Sequence, residues 1–202
     1  MSLVPKLRFK QDDGSDFPEW EEKKLGDFLI HKSKKNKDKK VSLVLSVSNK
    51  NGFVTQHEQF DGYQVASQDI SNYKIVEKWD FAYNPSRINV GSIAQLTNLN
   101  EGIVSPMYVV FSISEKLRSL FLTYLLRTHH MKNMIKQSCV GSVRDTLNFA
   151  GLCFFDVQLP SLEEQQKIAN FLSSIDDQIA IVQKQLDKTK QYKKALLQQL
   201  FI

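Results

Sequence analysis

The sequence predicts an α+β protein. A globular domain of mixed strands and helices fills residues 1–160, and a long coiled-coil helix follows over residues 161–202. Three observations carry this. Residues 41 to 111 hold short β-forming runs separated by turn residues. Residues 114 to 137 repeat apolar side chains at helical spacing. From Ser161 to Leu200 there is neither Gly nor Pro, and the apolar positions follow a heptad.

In chain order, residues 1 to 18 read as an irregular leader, with turn chemistry at Gln11-Asp12-Asp13-Gly14-Ser15-Asp16 and Pro18 resisting helix. Leu25, Phe28 and Leu29 suggest a short strand and a helical turn between Trp20 and Ile30. His31 to Lys40 is polar and basic, with six lysines and one aspartate, so its net charge equals the +5 of the whole protein. Val41 to Val47, Phe81 to Tyr83 and Tyr108 to Phe111 are strand candidates. Asn51-Gly52 is a turn dipeptide, Gly91 and Gly102 punctuate the run, and Pro106 suggests an edge or a strand start. Ser114 and Glu115 open one helix reaching to about residue 137. Gly141 to Thr146 is a loop, and Leu152 to Leu159 a last strand ending at Pro160.

Ser161-Leu162-Glu163-Glu164 matches the capping box, which starts a helix of about 40 residues and roughly 60 Å. Its seam is Ile168, Leu172, Ile175, Ile179, Val182, Leu186, Thr189, Lys193, Leu196 and Leu200, in unbroken 4-3-4-3 spacing. A helix lying on its own domain shows a wider apolar face near period 3.6. Here the face is narrow and flanked by Gln, Lys and Asp, which favours a coiled coil with a partner from outside the chain.

Little points to catalysis. His31, His57, His129 and His130 form no His-Glu-x-x-His motif, and His129 and His130 do not share a helix face. No Gly-rich phosphate loop and no Gly-x-Ser-x-Gly elbow occurs. Tyr83-Asn84-Pro85-Ser86 only faintly matches the Asn-Pro-Pro-aromatic tetrad of amino-methyltransferases, and Asn-Pro is also a plain turn initiator. Cys139 and Cys153 are too few for a disulfide framework or a four-ligand zinc site, so no metal and no cofactor is expected. A reduced, cytoplasmic setting fits. There is no apolar run long enough to span a membrane, and the first residues lack a signal peptide's apolar stretch.

The candidate site residues suit nucleic acid. Lys32, Lys34, Lys35, Lys37 and Lys39, with Lys40, can neutralise phosphates, or can simply form a solvated loop. Arg87 and Asn89, and Ser142 and Arg144, sit in loops beside glycines. Arg and Asn read guanine and adenine edges bidentately, although each is also common in surface turns.

The block Leu159-Pro160-Ser161-Leu162-Glu163-Glu164-Gln165-Gln166-Lys167-Ile168-Ala169 resembles the conserved region of type I restriction–modification DNA specificity subunits. The closing Tyr192-Lys193-Lys194-Ala195-Leu196-Leu197-Gln198-Gln199-Leu200-Phe201 is similar to the usual end of that family's helix. The opening Pro5-Lys6-Leu7-Arg8-Phe9 with Phe17-Pro18-Glu19-Trp20 resembles its entry into a recognition domain. Glu101 to Tyr108 and Gly141 to Arg144 fall where it has similar short motifs. The resemblance implies a non-catalytic DNA target-recognition domain over residues 1–160 and a dimerisation and spacer helix over residues 161–202. It further implies double-stranded DNA as ligand, and modification (methyltransferase) subunits, with restriction subunits through them, as partners. The family pairs two recognition domains and two antiparallel helices; this sequence has one of each, as either a natural half-subunit or a fragment of a two-domain subunit would. An antiparallel homodimer through Ile168, Leu172, Ile175, Ile179, Val182, Leu186, Lys193, Leu196 and Leu200 is therefore expected. Its target is then a spaced palindrome with half-sites at most roughly 18 base pairs apart. A coiled-coil adaptor that binds no DNA is the alternative.

Overall fold

The computed structural model describes residues 5–55, 67, 69–139 and 146–201. A four-stranded antiparallel sheet forms the centre, in the order β2 (Leu29–Lys32), β9 (Val109–Ile113), β6 (Phe81–Tyr83), β7 (Ile93–Gln95). Its inner strands are buried on both faces, and the two-residue alternation sends side chains into two cores. Phe81, Tyr83, Val109 and Phe111 enter the larger core. Ala82, Tyr108 and Val110 enter the smaller one, with Leu45, Val47, Phe53, Val76 and Leu96. Phe81 stacks on Phe111 with ring centroids 5.3 Å apart.

The smaller core is closed by two antiparallel pairs, the hairpin β3 (Leu45–Ser48) with β4 (Gly52–Thr55), and β5 (Lys74–Glu77) with β8 (Glu101–Val104). The Asn51-Gly52 turn forms as expected: Gly52 takes φ +65°, and the Ser48 hydroxyl accepts from the Lys50 and Asn51 amides. Only Leu45–Ser48 of the β-rich stretch becomes a strand, because Val41 is tied back to the side chain of buried Asn36. Gly102 is required by packing: a Cβ there would collide with the side chain of Leu45.

The larger core is closed by helices. The single helix expected over residues 114–137 is two, α1 (Ser119–Arg127) and α2 (His129–Ser138). Thr128 makes the break. Its backbone is extended, its hydroxyl donates to the Leu125 carbonyl at 2.7 Å, and it caps the next helix by accepting from the Met131 amide at 3.3 Å. The expected strand from Leu152 begins only at Asp156. Asn148 caps a short helix, α3 (Phe149–Cys153), and β10 (Asp156–Leu159) then pairs with β1 (Glu21–Lys24).

The last helix, α4, runs Leu162–Leu200, 39 residues. Ser161 accepts from the Glu164 amide, as a capping box requires. Glu164's carboxylate is turned inward instead of completing the box. It is fully buried and accepts from Arg8 Nη2 at 2.9 Å, Arg8 Nε at 3.3 Å and Trp20 Nε1 at 3.2 Å. Neighbouring Gln165 accepts from the Arg118 amide at 2.9 Å and donates to the Pro160 carbonyl at 3.0 Å. The leader is fastened to the same helix: Lys167 donates to the Lys10 carbonyl, and Phe9 meets Phe171 edge-on at 5.5 Å.

Candidate nucleic-acid interface

The basic stretch is a fixed loop. After β2 it runs beside β5, with the Asn36 amide donating to Tyr73 and the Ile75 amide to Lys34, both at 2.9 Å. Its lysines fall into two groups. Lys32 bridges Asp80 at 2.8 Å and Glu77 at 2.9 Å, Lys34 reaches Glu77 at 3.3 Å, Lys39 reaches Asp69 at 3.1 Å, and Lys40 reaches Asp38 at 3.7 Å. Burial by itself lowers the pKa of the Lys32 ammonium, but the bonds to Asp80 and Glu77 outweigh it and the net direction is up.

Lys35 and Lys37 have no carboxylate partner among the described residues. Lys35 reaches only the amide oxygen of Asn72, at 3.4 Å. Beside it lies Lys74, which sequence reasoning missed. Lys74 donates to the Tyr108 carbonyl at 2.6 Å, and burial first, then the charge of Lys35, pushes its pKa down. Two like charges therefore stand side by side with no carboxylate between them among the described residues, a setting that a phosphate would relieve. Nothing around Lys74 in the sequence signals this, because the neighbour is 39 positions away.

Arg87 and Asn89 sit on a second rigid turn. After β6 the chain forms an Asx turn, with the Ser86 amide donating to Asn84 Oδ1 at 3.0 Å, and then a 3-10 turn over Ile88–Val90 closed by Gly91 at φ +93°. Asn84-Pro85 thus acts as a turn. Buried Ile88 anchors this element, while Arg87 and Asn89 stay exposed. The Leu147 amide donates to the Pro85 carbonyl at 3.2 Å, which ties Leu147 to this turn. Ser142 and Arg144, like His57, lie outside the described residues. The two groups are joined through β3: Lys74 holds the Tyr108 carbonyl, Tyr108 Oη accepts from the Val47 amide, and the Val47 carbonyl accepts from Ser92 Oγ.

An open cleft of about 620 Å³ is lined by Lys32, Trp79, Asp80, Arg118 and Gln166 among others. Trp79 is 56% exposed and holds φ +74°, a strained value for a bulky residue. Its amide donates to Leu96 at 2.8 Å and its carbonyl accepts from Gln95 at 3.0 Å, which keeps it there. Sequence reasoning missed this side chain too.

The described residues contain no group of three or more His, Cys, Asp or Glu placed to hold a metal. Among them, no helix is long and apolar enough to cross a membrane.

The seam of α4 divides at its root. Ile168 packs against the larger core, and Leu172 is half-buried. Tyr124 of α1 donates to Asp176 at 2.8 Å, and Arg127 lies 3.8 Å from the same carboxylate. Beyond that point the domain leaves the seam uncovered: Ile179 and Val182 are both 61% exposed, and Leu200 is 71% exposed. Thr189 returns its hydroxyl to the Gln185 carbonyl at 2.9 Å, which satisfies one polar seam position within the helix.

Comparison with known proteins gives one family, described as the type I restriction modification DNA specificity domain, which matches residues 18–191. The MjaX type I restriction enzyme specificity subunit of Methanocaldococcus jannaschii is 28% identical over 206 residues, 96% of this chain and 48% of that protein. The MjaVIII specificity subunit of the same organism is 32% identical over 84 residues, 42% of this chain and 20% of that protein. The chain thus spans about half the length, or less, of the curated relatives it matches. Among solved structures, the HsdS subunit from Thermoanaerobacter tengcongensis aligns with a TM-score of 0.52 at 18% identity, over 85% of this chain and 41% of that one. The type I restriction–modification S subunit from M. genitalium aligns at 0.56 and 14% identity, over 90% and 44%. A chain from a type I R-M system assembly aligns at 0.58 and 17% identity, over 93% and 46%. These likenesses establish the fold.

Proposed function

This chain belongs to the type I restriction modification DNA specificity domain family, and from that premise we propose that it reads one half of a bipartite DNA target without catalysing any reaction. The observation that carries the reading is the family match, which runs through both the globular part and most of the long helix. Residues 1–160 act as the recognition domain and residues 161–202 as spacer and dimerisation helix. Lys35, Lys37 and Lys74 hold phosphates and set the position on the duplex. Arg87, Asn89, Ser142 and Arg144 read base edges. Lys32, Lys34 and Lys39 shape the loop through their carboxylates.

Modification subunits dock on the chain and bring the methylating chemistry, and restriction subunits join through them, in a cytoplasmic complex. The uncovered seam supports an antiparallel homodimer, which presents the reading surface twice and so calls for a spaced palindrome.

The test is co-expression with the modification subunit of the same host, followed by genome-wide mapping of methylated adenines. A symmetric, spaced motif is expected. An asymmetric motif means that a different recognition domain pairs with this one. A soluble complex that methylates nothing refutes the reading.

The second reading, an adaptor that binds no DNA, draws support from the carboxylates that already neutralise four lysines of the basic stretch. Duplex binding that does not respond to salt, or no binding, would favour it.

A further inference from the structure

We propose that Asp176 and Lys190 select a second copy of this chain in one antiparallel register, with the twofold axis at Lys184 and every seam position paired. This rests on the homodimer reading above and names the contacts that fix it.

In an antiparallel pair each core layer joins the two kinds of seam position. Centred on Lys184, the layers are Ile168 with Leu200, Leu172 with Leu196, Ile175 with Lys193, Ile179 with Thr189, and Val182 with Leu186, each occurring twice. All ten seam positions have a counterpart, although Ile168, partly buried against its own domain's core, offers the second copy only its remaining exposed surface. Sliding by one heptad in either direction leaves two of them unpaired on each chain. It also moves Asp176 from Lys190 of the second copy to Gln183 or Leu197.

The flanks agree with the seam. Asp176 immediately follows the seam residue Ile175, and Lys190 immediately follows Thr189. In this register they lie nearly level on the same side of the interface, so the dimer holds two Asp176–Lys190 pairs. Lys193 enters the layer of Ile175 and reaches toward the same carboxylate with its aliphatic stem along the seam. The polar break at Lys193 thereby acquires a partner, which it lacks among the described residues of its own chain. A parallel pair instead puts Lys193 against Lys193 in one layer. It also leaves Asp176 and Lys190 fourteen residues apart, about 21 Å. Asp176 is already positioned by Tyr124 and Arg127, so the acceptor is fixed by the domain before the second copy arrives. In this register the two Ile168 roots stand about 48 Å apart, near 14 base pairs of duplex.

The experiment uses two full-length variants, Lys190→Asp and Asp176→Lys, distinguished by mass and mixed in equal amounts under native mass spectrometry. Each alone should dimerise about tenfold more weakly than the unmodified chain, because its pairs become repulsive. Mixed, they should form about nine-tenths heterodimer, where every pair is again of opposite sign. A statistical one-to-two-to-one mixture would overturn the register while leaving the homodimer standing. An unmodified chain that is monomeric at micromolar concentration would overturn the homodimer reading itself, and the register with it.

Discussion

Replacing Lys35 by Ala tests the division between lysines that carboxylates have neutralised and lysines that have no carboxylate partner among the described residues. Each cation that neutralises a phosphate contributes a slope of about −0.9 to the dependence of log K on log salt. At 0.15 M salt, taken from a 1 M reference, one such contact is worth about 0.7 log units, roughly fivefold. A twofold dimer loses two contacts per substitution, so Lys35→Ala should weaken duplex binding by about thirtyfold and reduce the slope by about 1.8. Lys34→Ala removes a cation already 3.3 Å from Glu77, and should change affinity by less than about threefold with an unchanged slope. The assay is fluorescence anisotropy with a labelled duplex, titrated at four or five salt concentrations. If Lys34→Ala and Lys39→Ala flatten the slope as much as Lys35→Ala, the internal ion pairs do not withhold those lysines from DNA, and the sorting is wrong.

Further outcomes follow from the same structure. Leu186→Asp places an unpaired charge in the middle of the seam and should leave a monomer by light scattering; a surviving dimer would exclude this interface. Arg87→Ala and Arg144→Ala should each relax one base position of the methylated motif, whereas Lys35→Ala should weaken every sequence alike. Gly102→Ala forces the Leu45 side chain aside and should cost about 1–3 kcal/mol in urea unfolding. Glu164→Gln keeps the shape but removes the charge that holds Arg8, and should cost about 2–3 kcal/mol; an unchanged midpoint would show that the buried pair adds nothing.

The long helix was legible because its signals are local: a cap, no breaker and an unbroken heptad all lie within one segment. The strands β6 and β9 were legible for the same reason, each being a short β-forming run between turn residues. Local patterns failed where one residue serves two elements. Thr128 ends one helix and caps the next, and apolar spacing runs through the break without change. Asn148 starts a helical turn that takes in Leu152 and Cys153, the first residues of a run that looks like a strand. The charge run showed where the lysines are but not which are spent, because Glu77, Asp80 and Asp69 are brought in from 30 to 48 positions away. Lys74 was invisible for the same reason.

The root of α4 decides whether the helix can measure a distance at all. A rod spaces two recognition domains only if each domain is fixed to it, and a helix joined through a flexible linker would spread the half-sites over many spacings. Here the first turns of α4 belong to the core. Ala169 is fully buried, Glu164 is held by Arg8 from the leader and by Trp20 just before β1, and Gln165 grips the start of α1. Tyr124 repeats the attachment further along the helix, at Asp176. Two anchors on one stiff helix fix its direction as well as its position. The inward turn of Glu164, which leaves half of the capping box unmade, is then what a rigid joint needs. The carboxylate gives up one amide at the helix start and gains three donors that bind the leader, the domain and the rod into one body.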